Sequence, residues 1–263
     1  MLTLDLIELA DLVRPEQLVD EVLRQNPDLP LPVPVEQIAR LAGISKIEAF
    51  ASSGFEGALL TNPEKSEGAI FFNGLGPRPR QRFTIGHELG HFLLPLQRQS
   101  TFQCTTDDIS SRANREWEIQ ANRFAADLLM PSSLVKQRLL VNRDPELAHI
   151  QALSSEFGTS FEMTARRLAE LSDNACALVF SKDNIVRYAV KSEHFAEQLC
   201  VWKGVALPTI SPSKLVESDP GEWHELAAYW WLKERLGGDA PESVYEQTLC
   251  QDGGYKVTLI TYD

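Results

Sequence analysis

The sequence His87-Glu88-Leu89-Gly90-His91 places two histidines four residues apart, with a glutamate directly after the first. On a helix, side chains at i and i+4 stand on one face about one turn apart, so these two imidazoles could bind one zinc ion. Glu88 would project roughly 100° away from His87 around the helix axis. Its carboxylate could therefore reach a water molecule at the metal without binding the metal itself. The pattern predicts metal-assisted hydrolysis, since zinc acidifies water and a carboxylate can take the proton.

The apolar residues around this motif recur at helical spacing: Ile85, Leu89, Phe92 and Leu93. They predict a helix from Arg80 to Leu96 with one face in the core, ended near Pro95. The other face would carry the two histidines. Gly90 leaves room for a neighbouring element to pack closely against this helix.

A catalytic zinc site needs a third protein ligand and one open coordination position. The three-histidine form of the motif is absent, because the matching positions hold Leu94 and Gln97. A carboxylate from another helix is therefore expected. The next strongly amphipathic segment, Glu116 to Met130, predicts such a helix.

Two acidic residues in that helix are candidates for the third ligand, Glu116 and Glu118. Asn122 lies one turn beyond Glu118 on the same face, where it could hydrogen-bond a metal-binding histidine. Glu118 is therefore the predicted ligand. Glu116 is interpreted as a solvated acid in the first helical turn, where the helix dipole favours negative charge.

The remaining pattern predicts an α+β chain. Helices are predicted at 15–25, 35–42 (ended by Gly43), 133–142, 145–157, 161–171 and Trp223 to Leu236, and strands at 44–50, 55–60, 67–73, within 174–190 and at 255–262. The first three strands predict a small antiparallel sheet, and the helices within 145–171 have the spacing of a helix-turn-helix. A change of period near residue 173 predicts two domains, 1–173 and 174–263.

Composition excludes several classes of protein. The chain has 263 residues, 43% of them hydrophobic and 24% charged, which is typical of a globular protein and not of a disordered or collagen-like one. Its four cysteines include no C-x-x-C pair, which indicates reduced thiols and no disulfide scaffold or thiolate zinc cluster. The acidic N-terminus and the absence of a long apolar run predict a cytoplasmic protein without a membrane segment.

Charge argues against direct nucleic-acid binding, because the net charge of −12 repels phosphate backbones. Arg166 and Arg167 could contact DNA from the helix pair within 145–171, but four glutamates outnumber them there: Glu146, Glu156, Glu162 and Glu170. A packing or docking role is expected instead. The basic cluster Arg78, Arg80 and Arg82 is interpreted as solvated charge, and the aromatic cluster Trp223, Tyr229, Trp230 and Trp231 as core.

Two segments resemble a known family. RFTIGHELGHFLLP (82–95) followed by EIQANRFAADLLMP (118–131) resembles the paired motifs of the ImmA/IrrE metallopeptidases, and no residue departs from them. The resemblance covers roughly residues 32–171, while 174–263 resembles no family that we can identify. It implies a zincin-like, mainly helical domain of gluzincin type, with His87, His91 and Glu118 as zinc ligands and Glu88 as the catalytic acid/base.

The resemblance also implies a substrate, a helix-turn-helix transcriptional repressor that is cleaved in a stress or mobile-element response. The chain is thus expected to be a zinc endopeptidase, with 174–263 as a regulatory or sensory segment. The alternative is a non-catalytic regulator that binds a repressor or toxin partner. The residue that stabilises the oxyanion stays open among His149, His194, Tyr188 and Arg123, and the sequence indicates no oligomeric state.

Overall fold

The computed structural model describes residues 1–51, 54–95, 101–104, 112–141, 146–208, 222–233 and 240–262. It confirms the α+β fold class. The chain divides into two compact units, the first formed by Met1–Pro131 and Ser154–Ser160, the second by Ser132–Leu153 and Phe161–Asp263. The predicted division into functional domains at residue 173 stays a prediction.

The first unit contains five helices and four strands among its described residues. In chain order they are α1 (Leu6–Leu9), α2 (Pro15–Gln25), α3 (Val35–Ala42), β1 (Ile44–Phe50), β2 (Gly57–Thr61), β3 (Gly68–Asn73), α4 (Arg78–Leu93), β4 (Thr101–Cys104) and α5 (Arg112–Leu129). The predicted bounds of α2 and α3 are confirmed. Gly43 ends α3 with a φ of 110°, a left-handed conformation that glycine adopts without strain.

The sheet of the first unit has the strand order β1-β3-β2-β4. β2 is antiparallel to both β3 and β4, as predicted for a small antiparallel sheet. The β1–β3 pair is parallel, so the sheet is mixed and the prediction is wrong for β1. The reason is the strand order: β3 lies between β1 and β2, and spacing along the chain does not show which strand becomes central.

One face of this sheet packs against α4. Along β3 the buried residues alternate, and Ile70 and Phe72 point inward opposite Leu59 and Gly57 of β2. α4 also packs along α5. A Cβ atom added to Gly90 would lie 3.1 Å from Cδ1 of Phe124 and 3.2 Å from the Cα atom of Ala121, so the close approach expected at this glycine is present.

The second unit contains α6 (Ser132–Val141), most of α7 (Leu147–Phe157), α8 (Phe161–Leu171), β5 (Cys176–Lys182), β6 (Ile185–Lys191), β7 (His224–Ala227), β8 (Ser243–Cys250) and β9 (Tyr255–Thr261). The strands form one sheet in the order β6-β5-β9-β8-β7. All described pairs in it are antiparallel. Helices lie at the predicted positions 133–142, 145–157 and 161–171, although residues 142 and 145 are outside the described part. The strands within 174–190 and at 255–262 are confirmed as β5, β6 and β9.

The prediction of a helix from Trp223 to Leu236 is wrong. The chain there forms β7 and then a 3₁₀ turn, Ala228–Trp230, and residues 234–239 lie outside the described part. Pairing of β7 with β8 overrides the helical spacing of the aromatic residues. Trp231 is fully buried, and its indole Nε1 donates a hydrogen bond of 2.6 Å to Glu246 on β8.

The basic cluster before α4 is only partly solvated. Arg78 and Arg80 form exposed ion pairs with Glu36 and Glu56, at 2.7 and 2.8 Å. Arg82 is buried, and its guanidinium donates to the carbonyl oxygens of Val33 at 2.8 Å and Gly158 at 3.1 Å. The interpretation of Arg82 as solvated charge is therefore wrong, because two loops direct carbonyl oxygens at it. Burial lowers the pKa of Arg82.

Among the described residues, no helix combines the length and the apolar character needed to cross a membrane.

Replacement of Arg82 by methionine would remove the donor from two carbonyl oxygens in partly or fully buried surroundings. We expect a loss of about 3 kcal/mol in the free energy of unfolding, measured by chemical denaturation. The matched control is Arg80→Met, which removes an exposed ion pair and should cost less than about 1 kcal/mol. Equal losses for the two variants would contradict the anchoring role of Arg82.

Candidate metal centre

α4 presents two pairs of side chains on neighbouring stripes of its surface. His87 and His91 are one turn apart and face α5, and both are buried, with 6% and 0% of their surface exposed. Thr84 and Glu88 are also one turn apart and face β2, where a Cβ atom on Gly57 would meet both of them. The spacing of i and i+4 therefore aligns each pair on its own side of the helix.

Glu118 of α5 completes a compact group with the two histidines. The Nε2 atoms of His87 and His91 lie 3.0 Å apart. One carboxylate oxygen of Glu118 lies 3.2 Å from Nε2 of His87, and the other lies 3.2 Å from Nε2 of His91. Glu116 is exposed and is not part of this group. The structure thus brings together the three residues that the sequence predicts as ligands.

The donor set of this group suits a divalent metal ion. Ligand atoms around tetrahedral zinc, with bonds of 2.0–2.1 Å, are separated by about 3.3 Å, close to the distances found here. Two imidazole nitrogens and a carboxylate oxygen that converge in this way could hold such an ion. The assignment of these residues as ligands stays a prediction.

Asn122 lies where it can orient His87. Its side-chain oxygen is 3.1 Å from Nδ1 of His87. When Nδ1 donates its proton to this oxygen, the lone pair of Nε2 points toward His91 and Glu118. This is the contact expected from the spacing of Glu118 and Asn122 along α5.

The charges in the group stabilise one another. Burial lowers the pKa of His87, but the hydrogen bond that its protonated imidazole donates to the Glu118 carboxylate and the negative charge of Glu88 outweigh this effect, so the pKa is raised. Burial raises the pKa of Glu118, but its contacts with His87 and His91 outweigh this and lower the pKa to about 2. Glu118 is therefore ionised at neutral pH and attracts either a proton on His87 or a metal cation.

Lys65 is a site residue that sequence analysis missed. It lies in the turn between β2 and β3, and its ammonium group donates to the carbonyl oxygens of His91 at 2.6 Å and Leu94 at 2.8 Å. These are carbonyl groups at the end of α4, which lack partners within the helix. The contact spans 26 residues of sequence, so no local pattern reveals it.

The structure assigns no role to the four residues considered for the oxyanion. Arg123 forms an ion pair of 2.9 Å with Asp127 on α5. His149, Tyr188 and His194 belong to the second unit, whereas the three candidate ligands belong to the first. Tyr188 donates its hydroxyl proton to Glu162, and burial together with this carboxylate raises its pKa. The oxyanion-stabilising group stays unassigned.

The raised pKa of His87 predicts how metal binding depends on pH. A metal must displace the proton from this imidazole, so zinc affinity should fall as the pH drops through the raised pKa, by up to about tenfold per pH unit for one proton. Glu118 stays ionised because its pKa is about 2 and contributes no change above pH 4. Competition with a chromogenic chelator from pH 5.5 to 8 measures this dependence, and a pH-independent affinity would contradict it.

The segment that contains this centre is similar to known proteins. Residues 46–169 match the family model Peptidase_M78, described as the IrrE N-terminal-like domain. The search of curated proteins returned no match. Among solved structures, a Mycobacterium tuberculosis transcriptional regulator is similar, with 13% sequence identity and a TM-score of 0.50 over 98% of this chain and 73% of that one. At this identity, the structural likeness supports the fold alone.

The matched segment contains α4, α5 and most of the sheet beside them, and with them all three candidate metal ligands. Residues 46–169 therefore form an IrrE N-terminal-like domain, in agreement with the resemblance of the paired motifs to the ImmA/IrrE family.

Proposed function

We propose that the chain is a zinc-dependent endopeptidase. His87, His91 and Glu118 are the proposed zinc ligands, and Glu88 is the proposed acid/base. The observation that carries this proposal is the group of two imidazole nitrogens and one carboxylate, with mutual distances of 3.0–3.2 Å, beside a fully buried second carboxylate. Three protein ligands leave a fourth position for the reaction, as catalytic zinc sites require.

The proposed reaction divides the chemistry between metal and protein. A bound zinc ion would polarise the scissile carbonyl group and make a water molecule more acidic. Glu88 takes a proton from the attacking water and returns it to the nitrogen of the leaving amine as the C–N bond breaks. Asn122 orients His87, and Lys65 binds the end of the helix that carries both histidines.

The proposed substrate is a partner protein, a helix-turn-helix transcriptional repressor cleaved in a stress or mobile-element response. Support for it comes from the family resemblance of the paired motifs and from the IrrE N-terminal-like domain over residues 46–169. A repressor substrate would place the reaction in the cytoplasm.

The assignment of Glu118 as the third ligand is tested by Glu118→Ala. We expect zinc affinity to fall by more than about 100-fold, since even the loss of a supporting contact to a ligand costs 10–100-fold. Glu116→Ala is the matched control, because Glu116 lies on the same helix but is exposed and outside the group. The zinc content of the purified proteins, measured by mass spectrometry, shows which of the two glutamates is the third ligand. Metal loss in the Glu116 variant alone would redirect the assignment.

The role of Glu88 is tested by Glu88→Gln, which keeps the shape of the side chain but removes its basicity. Zinc binding should persist, while cleavage of the proposed helix-turn-helix repressor substrate should fall by about 10²–10⁴-fold. Cleavage is followed by gel electrophoresis and by mass spectrometry of the products. Undiminished proteolysis by this variant would exclude Glu88 as the acid/base. A wild-type protein that binds the repressor without cutting it would favour the non-catalytic alternative.

A further inference from the structure

Gly57 lies directly beneath the proposed acid/base. It is the first residue of β2, is buried, and pairs with Phe72 on β3. A Cβ atom built on it would lie 2.6 Å from Oε1 of Glu88 and 2.4 Å from Cγ2 of Thr84. Real side chains do not approach this closely, so even a methyl group at residue 57 would require the carboxylate or the threonine to move.

The backbone itself does not require glycine at this position. Positive φ angles occur at Gly43, Gly54, Gly158, Gly204, Gly253 and Gly254 among the described glycines, and not at Gly57. Alanine could therefore adopt the same extended strand conformation. Residue 57 is constrained by steric space, because side chains of α4 occupy the position that a Cβ atom would take. A glycine within a strand often marks such a close approach.

The position of the buried Glu88 carboxylate thus depends on the β2 backbone packed against it at Gly57. Glu88 has no exposed surface, and one wall of its surroundings is the bare backbone of β2. A side chain at residue 57 would displace the carboxylate from that wall and change its distance from the three candidate ligands. Displacements of about 1 Å in a catalytic group can reduce rates by about 100-fold.

We propose that Gly57 is a positioning residue, whose missing side chain leaves the space that the Glu88 carboxylate occupies and so sets where the acid/base stands. This inference rests on the proposed function. Gly57 does not touch the reacting atoms and acts only through Glu88. It shares the wall with Thr84, whose methyl group makes the other close contact.

The contact with Thr84 is removed first, so that the contact with Glu88 can be measured alone. All four proteins of the cycle therefore carry Thr84→Ser, which deletes Cγ2, whereas the control below is compared with the wild type. The four zinc-loaded, full-length proteins of the cycle are T84S, T84S/G57A, T84S/E88A and T84S/G57A/E88A, and their thermal unfolding midpoints are compared. A matched control is Gly76→Ala, because a Cβ atom there meets its nearest neighbour at an ordinary 3.8 Å.

The cycle has a definite expected result. The G57A substitution should lower the midpoint when Glu88 is present, and at least half of this decrease should disappear when residue 88 is alanine. A T84S/G57A protein that fails to fold, while the triple variant folds, supports the inference in the same way. An equal decrease in both backgrounds, or failure of both to fold, would overturn it.

A second measurement separates positioning from general disturbance of the centre. Acetohydroxamic acid binds zinc through two oxygen atoms and gives its proton to a neighbouring carboxylate, so its affinity reports where Glu88 stands. For T84S/G57A we expect unchanged zinc affinity and an acetohydroxamate affinity about tenfold weaker than that of T84S. Gly76→Ala should match the wild type in both. Unchanged acetohydroxamate affinity, or a parallel loss of zinc affinity, would overturn the inference.

Failure of the proposed function gives a different pattern. In that case the wild-type protein lacks zinc affinity, or acetohydroxamate binds equally well with and without the Glu88 carboxylate in T84S and T84S/E88A. The inference about Gly57 is judged by the stability cycle and, where acetohydroxamate binding depends on the Glu88 carboxylate, by the comparison of T84S/G57A with T84S.

Discussion

The close packing of α4 against α5 is the constraint on which the candidate site depends. Glu118 reaches the two histidines across a close approach of the helices at Gly90, where a Cβ atom would lie 3.1 Å from the ring of Phe124 and 3.2 Å from the Cα atom of Ala121. A Cβ atom at residue 90 would require Phe124 or the backbone of Ala121 to shift by a few tenths of an ångström. The electrostatic balance of the group, in which Glu118 raises the pKa of His87 while both histidines lower the pKa of Glu118, follows from that approach.

The parts of the site that depend on local geometry can be predicted from sequence. The spacing of His87 and His91 fixes their common face, and the spacing of Glu118 and Asn122 does the same on α5. The amphipathic pattern also identifies both helices, although α4 begins two residues earlier than expected and α5 four. Sequence alone left the choice between Glu116 and Glu118 to an argument about supporting contacts, and the structure places Glu118 beside the histidines.

The parts that were missed depend on contacts between distant segments. Lys65 binds the end of α4 from a turn 26 residues earlier, and Arg82 binds Val33 and Gly158 across 49 and 76 residues. The parallel pairing of β1 with β3 and the strand β7 within the expected helix arise in the same way, because a neighbouring strand supplies the hydrogen bonds. Strand β8 was not expected at all, since it buries polar residues such as Glu246 and Thr248 and lacks a clear alternation.

Several sides of α4 make specific contacts with different elements. His87 faces α5, Glu88 faces β2, and Arg82 reaches two loops, all within two turns of one helix. Each residue added to or deleted from a helix rotates everything beyond it by roughly 100°. A single insertion or deletion between Arg82 and His91 would therefore rotate the residues on one side of it relative to those on the other, so that they could not all keep their present contacts. In this chain, changes of length can be accommodated in the connecting loops, whereas the segment of α4 between Arg82 and His91 tolerates only substitutions.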